Sequence, residues 1–257
     1  MGVVNVTPDS FSDGGVYLQP AAAAAGGWRM LDEGAAIVDV GGESTRPGAA
    51  GVSADDELRR VVPVLEALHG APISIDTAKA EVARRALELG VELVNDVTAL
   101  RGDAEMADIV AESGAYVCLM HMQGEPRTMQ VSPTYADVAS EVASFLEERL
   151  RFAVHAGIAE ERVCLDPGIG FGKTVEHNFE LIRRLDVITA LGRPVLVGFS
   201  RKSSLGRILG DPAATTGPLS ASVAVAVAAY ERGATILRVH DVREHVEALT
   251  VAKAVSG

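Results

Sequence analysis

The 257-residue chain alternates eight times between a short apolar run and a longer segment with helical spacing. The runs are rich in Val, Ile and Leu, as expected of parallel strands that are buried on both faces. We predict strands at residues 1–5, 36–40, 72–76, 91–95, 115–121, 162–166, 194–198 and 235–240.

The intervening segments carry apolar side chains at helical spacing, as in Leu58, Val61 and Leu65. Several end in glycine, for example at Gly90, which suits a left-handed helix C-cap. Residues 222–229 read SVAVAVAA and alternate like a strand, but their alanine content and their position between the last two strands predict a helix. The histidines on predicted helices or their ends, including His245, are expected at the surface.

Eight strand–helix units in a chain of this length predict an α/β protein with one (β/α)8 TIM barrel, a single domain over residues 1–257. An open doubly wound sheet is the alternative, although no GxGxxG motif follows the first strand. The connections at 6–20 and 41–53 are long and follow early strands. In a barrel both would lie on the face that holds the active site, at the C-terminal ends of the strands.

The composition narrows the range of partners and compartments. A net charge of −12 disfavours nucleic acid and acidic membrane surfaces. The longest uncharged stretch, 213–230, contains Thr, Ser, Gly and Pro, so no membrane span is predicted. The two cysteines, Cys118 and Cys164, form no CxxC pair and are predicted to be reduced. We therefore expect a cytoplasmic protein.

Polar residues stand at the ends of six predicted strands: Asn5, Asp76, Asn95, His121, Asp166, and the pair Arg238 and His240. One such Asp or Asn could equally cap the following helix. Six strands that end this way favour a site, because strand ends converge on one face of a barrel.

Cations gather in the same loops of this acidic chain: Arg46, Arg201, Lys202, Arg238 and His240. The loops after strands seven and eight commonly bind phosphate in barrels, so the clustering indicates an anionic ligand. Arg201 and Lys202 could instead belong to a solvated loop.

The segment 166–173, DPGIGFGK, is glycine-rich but does not match the P-loop pattern. Its glycines permit close approach of the backbone to a flat ligand. Two carboxylates, Asp76 and Asp166, with the amide of Asn95 suit a heterocycle rich in N–H donors, such as an aminopyrimidine.

Eight segments together resemble the signatures of dihydropteroate synthases, in that family's order. They are MGVVNVTPDSFSDGG (1–15), VDVGGESTRPG (38–48), SIDT (74–77), NDV (95–97), MHMQGEPRTMQ (120–130), DPGIGFGKT (166–174), GFSRKS (198–203) and RVHDV (238–242). The resemblance spans nearly the whole chain. It implies a pterin-binding barrel, a homodimer, and p-aminobenzoate mimicry by sulfonamides.

The reaction implied by the resemblance belongs to folate biosynthesis. It condenses 6-hydroxymethyl-7,8-dihydropterin pyrophosphate with p-aminobenzoate to give 7,8-dihydropteroate and pyrophosphate. We expect an SN1-like displacement, because pyrophosphate leaves readily once its charge is neutralised and the pterin ring delocalises the positive charge on its methylene. Such a step needs positioning and preorganised charge rather than a protein nucleophile.

The resemblance also implies roles for individual residues. Those assigned to the pterin ring are Asp76, Asn95, Asp166 and Lys202, with Met120 either touching the ring or only filling the core. Those assigned to pyrophosphate are Arg238, His240 and Asn5, with Asn5 also a Mg²⁺ ligand. Those assigned to the p-aminobenzoate side are Thr45, Arg46, Pro47, Phe171 and Ser203. Asp76, Lys202 and Arg238 are the predicted catalytic residues.

Two alternatives remain at this stage. A methyltetrahydrofolate:corrinoid methyltransferase-like barrel would share the pterin contacts but would bind no pyrophosphate. A non-catalytic pterin-binding paralogue would keep the ligand without turnover.

Overall fold

The computed structural model describes residues 1–7, 20–44, 51–124, 128–129 and 131–256. Over these residues the chain forms eight strands and ten α-helices. The strands are β1 (Gly2–Asn5), β2 (Val38–Gly41), β3 (Ile73–Asp76), β4 (Leu93–Asp96), β5 (Tyr116–Met120), β6 (Val163–Asp166), β7 (Leu196–Val197) and β8 (Ile236–Leu237). All eight strands predicted from the apolar runs are confirmed, with ends that differ by at most three residues.

The helices lie between and after the strands, as the periodicity predicts. They are α1 (Pro20–Asp32), α2 (Ala54–Ala67), α3 (Ala80–Glu88), α4 (Met106–Ser113), α5 (Val138–His155), α6 (Val175–Arg183), α7 (Asp186–Thr189), α8 (Ser203–Ile208), α9 (Leu219–Glu231) and α10 (Val242–Ser256). The helical interpretation of 222–229 is confirmed, since that stretch lies inside α9.

Strands β1 to β6 form one parallel sheet in sequence order, and β7 pairs with β8 in a second. The two sheets meet at two seams, each spanned by a parallel bridge, from Gly2 to Val239 and from Leu165 to Val195. The Leu165 N–H donates to Pro194 O at 2.9 Å, and the Val239 N–H donates to Met1 O at 2.9 Å. The eight strands thus follow one another around the predicted TIM barrel.

Short polar caps fix where several helices begin. Ser53 precedes α2, and its side chain accepts a hydrogen bond from the Asp56 N–H at 3.1 Å. Thr174 precedes α6 and forms a reciprocal capping box with His177. Such caps satisfy N–H groups that lack a partner in the first helical turn.

The long connections predicted at 6–20 and 41–53 end where expected, because α1 begins at Pro20 and α2 at Ala54. Their interiors, 8–19 and 45–50, lie outside the described residues. The surface prediction for His245 is wrong. Its side chain is buried in α10, and Nδ1 lies 2.6 Å from the carbonyl oxygen of Asp241. The cause is that position 245 faces inward with Val242 and Ala252, which are also buried.

None of the helices in the described part of the chain combines the length and the apolarity that a membrane crossing requires.

Candidate active site

The barrel interior is layered, and the layering decides which strand residues can meet. A lower apolar cluster contains Leu93, Cys118, Cys164 and Leu196, with Ile37 and Ile236 packed against it. Side chains on a strand alternate between faces, so the residue two positions further along lies on the same face, one layer higher. Those residues are Asn95, Met120, Asp166, Gly198, Asp39 and Arg238. A layer in which four of six residues are polar or charged therefore stands on an apolar one.

Arg238 links two carboxylates of this region, Asp39 and Asp76. Its Nε donates to Asp39 Oδ2 at 2.6 Å, and its Nη2 donates to Asp76 Oδ2 at 2.8 Å. Asn95 Nδ2 donates to the same Asp39 oxygen at 3.1 Å. The Asp39 side chain has no exposed surface, so one fully buried carboxylate orients both a guanidinium and an amide.

Burial perturbs the charges of this layer. Desolvation raises the pKa of Asp76, and the nearby Asp39 adds to the rise, against the lowering effect of Arg238. Desolvation also raises the pKa of Asp166 to about 6, although Lys202, Lys173 and Arg238 oppose it. Burial alone would lower the pKa of Arg238, but Asp39 and Asp76 raise it above its usual range, so this cation stays protonated.

A cavity of about 1200 Å³ opens above this layer. Predicted site residues that line it are Asn5, Asp76, Phe171, Lys202, Ser203, Arg238 and His240. Asn95, Asp166 and Met120 do not line it directly. Asn95 is connected to the lining residue Arg238 because both donate to the same oxygen of Asp39. Met120 packs beside Phe171 in a buried cluster that also contains Val97, Met122 and Met129. Thr45, Arg46 and Pro47 lie outside the described residues.

His240 differs in charge from the expectation. The sequence placed it among the cations, but desolvation, Arg201 and Arg238 lower its pKa to about 4. Its Nδ1 lies 3.1 Å from Ser200 Oγ. Before an anion binds, His240 is therefore a neutral hydrogen-bonding group at neutral pH, and Arg201 pairs with Asp241.

Lys202 lies beside the glycine-rich segment. Its Nζ is 4.4 Å from the centroid of the Phe171 ring, a cation–π distance. Gly170 packs on the same side chain, since a Cβ there would lie 3.2 Å from Lys202 Cδ. The loop after β6 and the start of α8 thus form one wall of the cavity.

The described ends of the β2–α2 connection are joined by a partly buried network, in which only Glu57 is fully buried. Lys79 Nζ donates to Glu43 Oε2 at 2.6 Å and to Glu57 Oε2 at 2.5 Å. Glu43 Oε1 accepts from the Val52 N–H at 3.0 Å. These contacts set the base of the loop next to the cavity, where Glu43 and Ser44 are also found.

Asn5 is the residue whose chemistry suits the expected metal. It ends β1 and lines the cavity near Thr7. In the part of the chain that the structure describes, no group of three or more His, Cys, Asp or Glu side chains is placed to hold a metal ion. The amide oxygen of Asn5 would suit a Mg²⁺ ion, which is often bound by few protein ligands and would take the rest of its shell from phosphate and water.

Sequence reasoning gave no role to two residues of this region, Asp39 and Lys173, and a third, His121, does not lie where it was predicted. Asp39 was quoted only as part of a motif, although a carboxylate between two valines of a buried strand was a usable signal. Lys173 lines the cavity, and its ammonium forms a buried pair with His121, with Nζ to Nδ1 at 2.9 Å. His121 was predicted to be a strand-end site residue, but it faces Lys173 and is absent from the described cavity lining.

Comparison with known proteins agrees with this geometry. The model of the family described as "Pterin binding enzyme" matches residues 1–240. The dihydropteroate synthase of Escherichia coli (strain K12) is 48% identical over 260 residues, covering 99% of this chain and 90% of that protein. Yersinia pestis dihydropteroate synthase with a sulfonamide drug complex superposes with a TM-score of 0.92 at 45% identity, covering 99% of this chain and 93% of that one. Xanthomonas albilineans dihydropteroate synthase with 4-aminobenzoic acid superposes at 0.91 with 48% identity, covering 100% and 92%. The layered polar site and these matches lead to one conclusion: the chain belongs to the dihydropteroate synthase family of pterin-binding enzymes.

Proposed function

We propose that this chain condenses 6-hydroxymethyl-7,8-dihydropterin pyrophosphate with p-aminobenzoate, giving 7,8-dihydropteroate and pyrophosphate. The observation that carries the proposal is Arg238, held between the carboxylates of Asp39 and Asp76 at the floor of a cavity that Lys202 also lines. That floor offers acceptors for a flat N–H donor and cations for a leaving anion within one space.

The pterin ring is assigned to the inner layer. Asp166 and Asn95 present a carboxylate and an amide, which match the adjacent donors and acceptors of an aminopyrimidine edge. Met120 belongs to the apolar cluster that adjoins Phe171, and that cluster supplies a surface for the face of the ring. The glycines of the β6–α6 loop let its backbone come close to such a ligand.

The pyrophosphate is assigned to Arg238, His240 and Asn5 at the strand ends. Arg238 carries a fixed charge, and His240 supplies a neutral imidazole whose pKa rises when an anion binds beside it. When bound at Asn5, Mg²⁺ would supply charge neutralisation on the phosphate oxygens.

The chemical step is assigned to preorganised charge. The bond between the pterin methylene carbon and its oxygen breaks, and its electron pair leaves with pyrophosphate. The lone pair of the p-aminobenzoate nitrogen then forms the C–N bond, and the nitrogen loses a proton to solvent or pyrophosphate. Asp76 stabilises the positive charge of the methylene, and Lys202 and Arg238 hold the two ends of the pterin substrate in register.

The p-aminobenzoate side is assigned to Phe171, Ser203 and the segment Thr45 to Pro47. Phe171 and Ser203 stand on the cavity wall nearest the start of α8. This assignment makes sulfonamides competitors of p-aminobenzoate.

The test is turnover with the purified full chain, monitored as pyrophosphate release. We expect release that needs both substrates and Mg²⁺, competition by sulfamethoxazole against p-aminobenzoate, and loss of activity in Arg238→Met. Arg232→Met is the matched control, because Arg232 lies exposed just after α9. Pterin binding without turnover would instead identify a non-catalytic paralogue, and methyl transfer from a methylated folate would identify the corrinoid-type barrel.

We further propose that the protein is a homodimer through α9 and α10. A groove there is lined by apolar side chains and three glutamates: Leu219, Val223, Val227, Val251 and Val255, with Glu231, Glu244 and Glu247. Val251 and Val255 lie one turn apart on α10 and are 64% and 82% exposed. Two such exposed apolar side chains next to each other are unusual on the surface of a folded monomer. A second copy presents the same surface and can cover it by two-fold symmetry.

Light scattering after gel filtration tests the dimer. Val251→Glu should give a monomer, whereas Val154→Glu, at an apolar residue of α5 that is also exposed, should leave the dimer intact. A monomeric wild-type protein at micromolar concentration would refute the proposal.

We propose a cytoplasmic location and a single folding domain. Cys118 and Cys164 are register partners on β5 and β6, and both are free buried thiols, which suits a reducing compartment. One hydrophobic cluster runs from Val4 to Ala234. Cell fractionation tests the location, and a single cooperative calorimetric transition tests the domain.

A further inference from the structure

The loop between β6 and α6 has an unusual backbone. Gly168, Gly170 and Gly172 have φ of +67°, +82° and +63°, a left-handed region that favours glycine. A Cβ on Gly168 would lie 1.9 Å from His121 O, and one on Gly172 would lie 2.3 Å from Gln123 O. The loop therefore packs backbone against backbone on the residues that follow β5.

A backbone of this shape has carbonyl groups that no helix or strand satisfies. Buried carbonyls without a donor cost free energy. Within the loop the Phe171 N–H donates to Gly168 O at 3.0 Å, and further donors come from outside it. The Tyr135 hydroxyl donates to Gly172 O at 2.7 Å. Asn178 Oδ1 accepts from the Gly170 N–H at 2.8 Å.

Lys173 supplies the largest set of contacts. Its Nζ lies 3.0 Å from Gly168 O, 2.9 Å from Phe171 O, 2.9 Å from His121 Nδ1 and 3.4 Å from His121 O. Lys173 is 2% exposed. An ammonium has three donors, and these four acceptors engage them, so the cation binds the loop rather than a substrate. His121 accepts as a neutral ring, consistent with burial lowering its pKa to about 2.

We propose that Lys173 is a positioning residue for the pterin site: its buried ammonium holds the β6–α6 loop in the shape that presents Asp166 and Phe171 to the ligand. The inference rests on the pterin contacts assigned under the proposed function. Both halves of the loop touch an assigned residue. The Gly168 N–H donates to Asp166 Oδ1 at 2.7 Å, and the Phe171 ring lies against Lys202.

The charge of Lys173 also acts on Asp166. Burial lowers the pKa of Lys173 to about 7, and the neighbouring Asp166 opposes that shift, so the ammonium that holds the loop is present below that pH and is lost as the pH rises through it. In return Lys173 lowers the pKa of Asp166, together with Lys202 from the start of α8 and Arg238 from the end of β8. Replacing the ammonium with a neutral group should raise the pKa of Asp166, so that its carboxylate is lost at a higher pH.

The experiment compares Lys173→Met with Tyr135→Phe in the full chain. Tyr135→Phe removes one hydrogen bond to the same loop and no charge. We would measure the Kd of pteroic acid by calorimetry from about pH 5 to pH 9, and kcat and KM for both substrates. A misplacement of about 1 Å at a reacting site can cost on the order of 10²-fold, so we expect Lys173→Met to weaken pterin binding by roughly 10-fold or more.

The pH profile separates positioning from a general loss of stability. In wild type we expect the affinity for pteroic acid to fall at low pH, where Asp166 protonates. In Lys173→Met this fall, the acid limb of the binding profile, should occur at higher pH, because Asp166 protonates more easily. In Tyr135→Phe the limb should stay in place while the affinity falls a few-fold. A folded Lys173→Met protein with a wild-type Kd, wild-type kinetics and an unshifted limb would overturn the proposal.

Two further outcomes remain decisive. If Lys173→Met fails to fold, Tyr135→Phe carries the test, and unchanged pterin binding in that variant would count against the anchoring of the loop. If the wild-type protein binds pteroic acid but makes no dihydropteroate, the proposed function fails. The binding measurements would still decide the role of Lys173.

Discussion

Replacing Arg238 with methionine removes the cation that joins β2, β3 and β8. The side chain is 21% exposed, and it bridges Asp39, which is fully buried, and Asp76, which is 12% exposed. Methionine keeps much of the aliphatic volume but leaves two carboxylates facing each other without a counter-charge. The substitution therefore tests stability and catalysis separately.

Breaking a buried ion pair by removing one partner typically costs about 3–5 kcal/mol. We expect Arg238→Met to lose an amount of that order in unfolding free energy above neutral pH. We also expect kcat/KM to fall by roughly 10²-fold or more, as for the loss of one preorganised donor. A factor of 10² corresponds to about 2.7 kcal/mol of transition-state stabilisation.

The sign of the pH dependence follows from Asp76. Its pKa is raised in the folded protein to about 7, and removing Arg238 raises it further. A carboxyl group with a raised folded pKa contributes stability that is lost as the pH rises through that value. The deficit of Arg238→Met relative to wild type should therefore be largest above pH 7 and should shrink as the pH falls and Asp76 protonates in both proteins.

Urea unfolding of Arg238→Met, wild type and the surface control Arg232→Met at about pH 8 and about pH 5.5 measures this difference. Asp39→Asn in the Arg238→Met background should restore part of the stability, because it removes one of the two unpaired charges. The reasoning is refuted if Arg238→Met is as stable as wild type at the higher pH, or if its deficit is the same at both values.

Three further predictions concern other residues of the site. Asp76→Asn should keep the fold, as judged by circular dichroism and melting temperature, but should lose most turnover in the pyrophosphate-release assay; normal turnover would remove its proposed role. Gly168→Ala should lower the free energy of unfolding, measured in urea, by about 2 kcal/mol or more. The new Cβ would clash with His121 O, and the φ of +67° at this position disfavours alanine. An unchanged urea midpoint would mean that the loop shifts without cost. Pterin binding by the wild-type protein should weaken as the pH falls through about 6, where Asp166 protonates. A calorimetric affinity for pteroic acid that stays constant down to about pH 5 would contradict the assignment of Asp166 to the pterin ring.

Local patterns predicted much of the fold. Eight apolar runs separated by segments of helical periodicity were enough to predict the order of strands and helices. A parallel strand that is buried on both faces appears in the sequence as a continuous apolar run. The same alternation placed Asn5, Asp76, Asn95 and Asp166 at or next to strand ends. In residues 222–229 length and position outweighed an alternating pattern, and a helix formed.

The sequence by itself determined the barrel class, the strand ends that carry polar groups, and the family motifs. The tertiary structure decided which of those groups face each other. Asp39 and Arg238 are 199 residues apart and meet because β2 and β8 point both side chains into one layer. Lys173 lines the cavity, but its Nζ contacts His121 and the carbonyls of its own loop. The physical reason is that ion pairing, desolvation and pKa depend on distances and burial between distant segments, whereas hydrophobic periodicity is local.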